Sequence, residues 1–278
     1  DQKELTEEQV ARVEGRAVTY RQAGMKPTDP NAPAPTDKNT DLGYNRGWTD
    51  PGTSVMRVGG KPRSSMITTT KDGRVPPRKP GAPPFRSRVV ESDESSSGAG
   101  QSDHPETRGI TERCIHFPSS AGPVMRPVLY NNNFHIQQGR DAVAIWVEMI
   151  HDVKIIRIGG KHRNDGVREW LGDSIGRYEG DTLVVETKDY HPMQTFLGAS
   201  DKVKVTERFT PVAKDRMLYQ FMVEDPVVWA EPWGGEYEFY TSPGIYEYAC
   251  HEGNIGLEGI LAGAREEERT AKAAAASR

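Results

Sequence analysis

The stretch Asn133–Ile158, NFHIQQGRDAVAIWVEMIHDVKIIRI, decides the fold. Its apolar residues recur with a period of two, and the runs are cut by QGRD and again around Ile150. An amphipathic helix would need a 3.6-residue period, which this stretch lacks. It reads as three consecutive strands, Asn133–Gln138, Ala142–Ile150 and Val153–Ile158. The pattern continues through Gly176–Tyr178, Thr182–Thr187, Val203–Thr210, Met217–Val223 and Tyr237–Tyr240. The connections IGGKHRND, YEGD and VAKD carry the Gly and Asp that hairpin turns favour. Meandering strands with no helices between them predict a mainly β fold, a calycin/lipocalin-like antiparallel β-barrel. A barrel of about eight strands is just wide enough to hold one small ligand.

The flanks have a different character. Glu4–Tyr20 reads as a helix with Thr6 as its N-cap and Glu7 and Glu8 in its first turn. Residues 23–107 hold most of the prolines, with PNAPAPTD and RVPPRKPGAPP as extremes, and cannot build a core of their own. The chain therefore divides into 1–107, a helix and a Pro/Gly-rich arm, and 108–278, the barrel domain with a C-terminal helix over Asn254–Arg278. The arm is expected to be ordered over 40–75, anchored by Tyr44, Trp48, Met56 and Met66, and mobile around Ser92–Gln101. It is also a candidate homodimer contact.

Composition excludes some functions. A net charge of -4 over 278 residues gives no electrostatic case for nucleic acid or an anionic membrane. No apolar run reaches the ~18 residues that a spanning helix needs. The opening DQKELTEEQV does not read as a signal peptide, which is compatible with numbering that begins after a removed one. Cys114 and Cys250 fit either a disulfide in an exported protein or two buried thiols in a cytosolic one. The disulfide is the favoured alternative, because both cysteines adjoin polar clusters expected to converge. A periplasmic or secreted location follows from it, with the cytoplasm as the alternative.

The chemistry is concentrated in Tyr130–His151 and in YEYACHEGN, Tyr246–Asn254. Both place Tyr, His, Glu and Asn among apolar residues, where polar groups are expensive to bury. Strand alternation puts Trp146 and Glu148 on one face and Met149 and His151 on the other. A kink near Ile150 is expected to bring both titratable groups into the barrel. His151 or His135 is the candidate general base, Glu148 its orienter or the acid, and Tyr130 and Arg157 the groups holding a substrate oxygen. Trp146, Glu207, Trp229, Trp233, Tyr248, His251 and Asn254 are candidate substrate contacts. Each has a plainer alternative: Glu186 and Glu207 pair with Arg157, Arg177 or Arg208, and the tryptophans plug the barrel end. His135, Glu148, His151 and His251 are ligand types for zinc or iron, but no HxxxH or HxH spacing supports a metal. There is no GxSxG motif. Gly159-Gly160 and Gly234-Gly235 lack the strand–turn–helix setting of a nucleotide loop, so no cofactor is expected.

The phrases YNNNFHI, EMIHD, REWLGDSIGRYEGDTLVVET, TERF, EDPVVW, EPW and YEYACHEGN, within Arg113–Arg265, resemble a family of bacterial proteins, many with export signals. RSSMITTTKDGRVPP at 63–77 is similar to that family's SLI-DPPDGRIPP phrase and departs from it at Thr68–Thr70. The family in turn resembles cofactor-independent enzymes of sphingomonads that trim side chains of lignin-derived aromatic dimers. That resemblance implies proton abstraction from a phenol or alcohol with loss of formaldehyde or carbon dioxide, and it carries no catalytic residue across. The leading expectation is a cofactor-independent lyase or isomerase acting on a small aromatic substrate. The alternatives are a non-catalytic lipocalin-type binder of an apolar ligand and a metal-dependent enzyme using the His/Glu cluster.

Overall fold

The computed structural model describes residues 4–24, 31, 52–83, 102–118, 120–128, 130–194 and 196–276. Tyr44, Trp48 and Ser92–Gln101, which figure in the expectations for the arm, lie outside them. A two-stranded ribbon, β1 (Arg57–Val58) and β2 (Lys61–Pro62), precedes the main sheet. That sheet is built from β3 (Phe134–Gln138), β4 (Ala142–Val147), β5 (Val153–Ile158), β6 (Asp173–Glu179), β7 (Thr182–Lys188), β8 (Lys204–Ala213), β9 (Arg216–Glu224) and β10 (Trp233–Tyr240).

Every strand pairs with its neighbours in sequence, so the eight-stranded sheet runs in order from β3 to β10. It curls into a half-barrel, with β3 at one edge and β10 at the other. The two edges approach through side chains: the Phe134 and Phe239 rings meet edge-to-face at 5.3 Å. Alternation decides which residues line the concave face. Val143, Ile145, Val147, Ile156, Val185, Val205, Phe209, Tyr219, Phe221 and Tyr237 are buried there in one core.

The all-antiparallel expectation needs one correction: β5 and β6 run parallel, with Ile156 opposite Ser174 and Ile158 opposite Gly176. Parallel neighbours require the chain to return to its starting end. Residues 159–172 make that return, and Asp173 fastens them. Its carboxylate accepts from the Arg163 backbone N–H at 2.9 Å and lies 2.8 Å from His162 Nδ1. The Gly and Asp of IGGKHRND suggest a hairpin, but those residues serve any loop.

A second correction concerns β4, which ends at Val147 instead of continuing to Ile150. Met149–His151 form a single 3₁₀ turn, with Ile150 and His151 in the left-handed region at φ 56° and 45°.

Residues 52–83 lie against the domain. Ile67 forms an antiparallel bridge to Gly235, and the backbones of Met66 and Thr68 bond to Glu236 N–H and Gly234 C=O at 2.8 and 3.0 Å. A Cβ at position 235 would sit 2.0 Å from the Met66 carbonyl oxygen, so only glycine permits this approach. The Gly234-Gly235 pair thus serves a close backbone contact. Thr69 Oγ1 accepts the Gly234 N–H at 2.8 Å, which gives the Thr68–Thr70 departure a structural use. Met56, Met66 and Val75 pack onto the core.

Helix α1 (Glu7–Gly24) starts as expected. Thr6 Oγ1 accepts from Gln9 N–H, and Gln9 Oε1 from Thr6 N–H, a reciprocal capping box. Helix α2 (Ile255–Ala276) is capped by Asn254 and has no buried residue.

Candidate functional site

The half-barrel leaves a cavity of about 870 Å³ between its two edges, where β3, the β8–β9 turn and β10 face the 52–66 segment. Its floor is apolar: Met56, Met66, Met125, Phe134, Ile136, Met217, Tyr237 and Phe239. Its rim is polar, with Asn132, Asn133, His135, Lys214, Asp215, Arg216 and Glu238. The rim charges are largely paired with one another, Arg216 to Glu238 at 3.3 Å and to Asp215 at 3.9 Å. Cavities of 300–1,000 Å³ with apolar walls and few polar groups are the usual form of a small-molecule site.

Beneath the cavity lies a buried polar network that alternation only half reveals. Lys154 and Glu207 form an ion pair that is 1% and 0% exposed. Tyr219 Oη donates to the other Glu207 oxygen at 2.8 Å and accepts from the Met125 N–H at 3.1 Å. Tyr237 Oη donates to the Met125 carbonyl at 2.7 Å. Burial, reinforced by the Glu207 charge, pushes the Tyr190, Tyr219 and Tyr237 hydroxyls well above the ordinary phenol range. None of the three supplies a phenolate near neutral pH. Neither Lys154, Glu207 nor Tyr219 lines the cavity.

The two polar clusters do meet, at one end of the half-barrel. Cys114 and Cys250 are joined in a disulfide with Cα atoms 5.7 Å apart. The Tyr130 and Tyr248 rings lie 6.2 Å apart. Burial and the Tyr130 hydroxyl push Tyr248 up to about 12. Glu148, 4% exposed, accepts from Asn131 and Asn133 side chains at 2.6 and 2.8 Å and from the Tyr246 N–H at 3.2 Å. His151 is exposed, with Nδ1 3.4 Å from the Tyr248 carbonyl oxygen. The kink at Ile150 therefore turns both groups toward the Tyr246–Cys250 segment, not into the barrel. What results is a clasp, and it borders the cavity because Gly244 and Ile245 form part of the cavity wall.

The other expected site residues are dispersed. His135 stacks on Trp146 across the β3–β4 pair at 6.4 Å on the outer face, and also reaches the cavity rim. Trp146 is 41% exposed. Arg157 is on the same outer side, ion-paired to Asp173 at 2.7 Å. Glu207 has found Lys154 in place of an arginine, and Glu186 lies near His162 and Lys204. Trp229 and Trp233 are 2% and 1% exposed and pack edge-to-face at 5.4 Å, as plugs would. His251 is exposed. Asn254 caps α2 and donates to the Glu112 carbonyl at 2.9 Å.

The cavity was not legible as a site, since Met56 and Met66 read only as anchors of the arm and Met217 only as part of a strand, and no local pattern joins them. Lys154 was missed by the sequence reading, although in VKIIRI it shares its face with Ile156 and Ile158, a signal that could have found it.

Comparison with family models, curated proteins and solved structures finds no match for this chain. Among the described residues no group of three or more His, Cys, Asp or Glu side chains is placed to hold a metal ion, and no helix is long and apolar enough to cross a membrane.

Asp173 yields a pH prediction. Burial alone would raise its carboxyl, but the Arg163 N–H, His162 and Arg157 outweigh burial and hold it below the ordinary value of 3.8. A carboxyl depressed in the folded state stabilises above the unfolded value and loses that contribution as pH falls through the folded one. Asp173→Asn is expected to flatten the acid limb of the stability–pH curve below about pH 4, read by urea unfolding at a series of pH values.

Proposed function

We propose that the protein binds a small, largely apolar molecule of aromatic dimensions in the cavity between β3 and β10, as a lipocalin-type binder does. The carrying observation is the division of labour between wall and interior. An enzyme working by acid/base catalysis needs titratable groups at the reacting atoms. Here the interior Lys154, Glu207 and Tyr219 bond to one another, Tyr237 gives its hydroxyl to Met125, and the floor offers thioethers and rings. Methionines suit an apolar ligand whose shape they must follow, being unbranched and polarisable. The disulfide fits an oxidising compartment and supports a periplasmic or secreted location.

The expected result is that phenylnaphthylamine, an uncharged fluorescent apolar probe, binds the full chain with saturable enhancement of its emission. Met217→Trp, which fills the cavity from its floor, is expected to weaken binding at least about tenfold, a loss of 1.4 kcal/mol or more, with the fold intact. Unchanged binding in that variant would place the ligand elsewhere.

A second reading, a cofactor-independent lyase for lignin-derived aromatic dimers, draws support from His135 at the cavity rim. It requires release of formaldehyde or carbon dioxide from such dimers, lost in His135→Gln. The binding reading expects none from either protein.

A further inference from the structure

The 870 Å³ cavity runs along the free edge of β3. Phe134, His135 and Ile136 line it in unbroken succession, as do Tyr237–Tyr240 of β10. Successive strand residues point to opposite faces, so a cavity confined to the concave face would meet only every second one. Unbroken succession places the opening in the gap between the two sheet edges, with backbone as part of its lining.

The β3–β4 register fixes which backbone groups reach that gap. The Glu148 N–H donates to the Asn133 carbonyl at 3.0 Å and the Gly139 N–H to the Ala142 carbonyl at 2.8 Å. Opposed residues of an antiparallel pair alternate between bonded and non-bonded. Phe134 opposite Val147, Ile136 opposite Ile145 and Gln138 opposite Val143 are therefore the non-bonded pairs, and their N–H and C=O groups point away from β4. Among the described residues those groups have no bonding partner. At the other edge, by contrast, the backbones of Met66 and Thr68 bond to Glu236 and Gly234 and cover β10 there. Nor does the sequence of β3 blunt its edge. FHIQQ holds no Lys, Asp, Glu or Pro, the residues that keep edge strands from pairing.

An edge of alternating donors and acceptors beside an apolar floor matches one chemistry, an extended peptide that supplies both kinds of group. We propose that the gap between β3 and β10 takes a short uncharged peptide as an antiparallel strand on β3, with apolar side chains at every second residue seated on the floor. Every pair in this sheet except β5–β6 is antiparallel, and that is the more stable arrangement per residue. The proposal rests on the apolar-ligand reading of the same cavity and names the ligand class: the apolar body is the aromatic side chain of a peptide. The antiparallel partner sets its floor-facing residues opposite Phe134, Ile136 and Gln138, so the N–H groups of those residues make the bonds to β3.

Acetyl-Thr-Phe-Thr-Phe-Thr-amide is the probe, titrated into the full chain with phenylnaphthylamine bound as reporter. It is expected to displace the reporter and to slow hydrogen exchange at the Phe134, Ile136 and Gln138 amides. The His135 and Gln137 amides, already bonded to β4, are expected to stay as they were. N-methylation of both Phe residues should weaken the peptide at least about tenfold, the loss of two hydrogen bonds. N-methylation of two Thr residues, whose N–H groups point away from β3, should weaken it far less. Equal weakening by the two modifications, or unchanged exchange at the three amides, would overturn the peptide site. Saturable phenylnaphthylamine binding that Met217→Trp weakens would then leave the apolar-ligand reading standing. Failure of phenylnaphthylamine to bind would overturn both.

Discussion

Lys154→Met is expected to destabilise the protein by about 3–5 kcal/mol, because it strands a buried carboxylate. Glu207 is fully buried, and without Lys154 only the Tyr219 hydroxyl bonds to it among the described residues. The shortfall should appear as a lower urea midpoint with an unchanged slope, the mark of lost stability without a change in compactness. Replacing both partners, Lys154→Met with Glu207→Leu, is expected to recover most of the loss, since an apolar pair of similar volume avoids the desolvation of two charges. The double variant still leaves Tyr219 without its acceptor, so recovery should fall short by about 1–3 kcal/mol. If Lys154→Met were as stable as wild type, the pair would not be sealed from water as the structure has it.

Removing the disulfide is expected to cost about 2–4 kcal/mol. The bond joins residues 136 apart in sequence, and closing so long a loop removes much of the unfolded chain's freedom. Cys114→Ser with Cys250→Ser should lower Tm by roughly 10 °C for a chain of this size. The loss has a functional side as well. Cys250 pins the segment whose Tyr246 N–H bonds to Glu148 and whose Gly244 and Ile245 line the cavity. Limited proteolysis is expected to cut the double variant first within 241–254, and its affinity for phenylnaphthylamine to fall. Stability and cleavage pattern equal to wild type would show that the clasp holds without its covalent bond.

Strand positions were legible because half-buried strands write a period of two into the sequence, and all eight segments read that way are strands. The crossover between β5 and β6 was not, since what makes it parallel is a long-range contact. Asp173 at the head of β6 binds His162 and Arg163 from the loop before it, and no local pattern announces that. The kink at Ile150 was legible from Glu148 and His151 standing on opposite strand faces, but its outcome was not. Glu148 goes where Asn131, Asn133 and Tyr246 satisfy it, and the exposed imidazole of His151 stays outside. The clasp could be anticipated from the matched chemistry of its two clusters. The cavity could not, because its walls come from residues 54–66, 125–136, 211–217 and 237–245, whose meeting depends on how far the sheet curls.

The proposed entry of a small apolar ligand between β3 and β10 can be tested residue by residue through the methionines. Met56, Met66, Met125 and Met217 line that cavity, whereas Met222 sits on the outer parity of β9 and Met193 in the loop after β7. In methyl-labelled NMR spectra titrated with phenylnaphthylamine, the first four resonances are predicted to shift together and saturate, with Met193 and Met222 unmoved. Shifts confined to Met193 or Met222, or no shift at any methionine, would contradict the account.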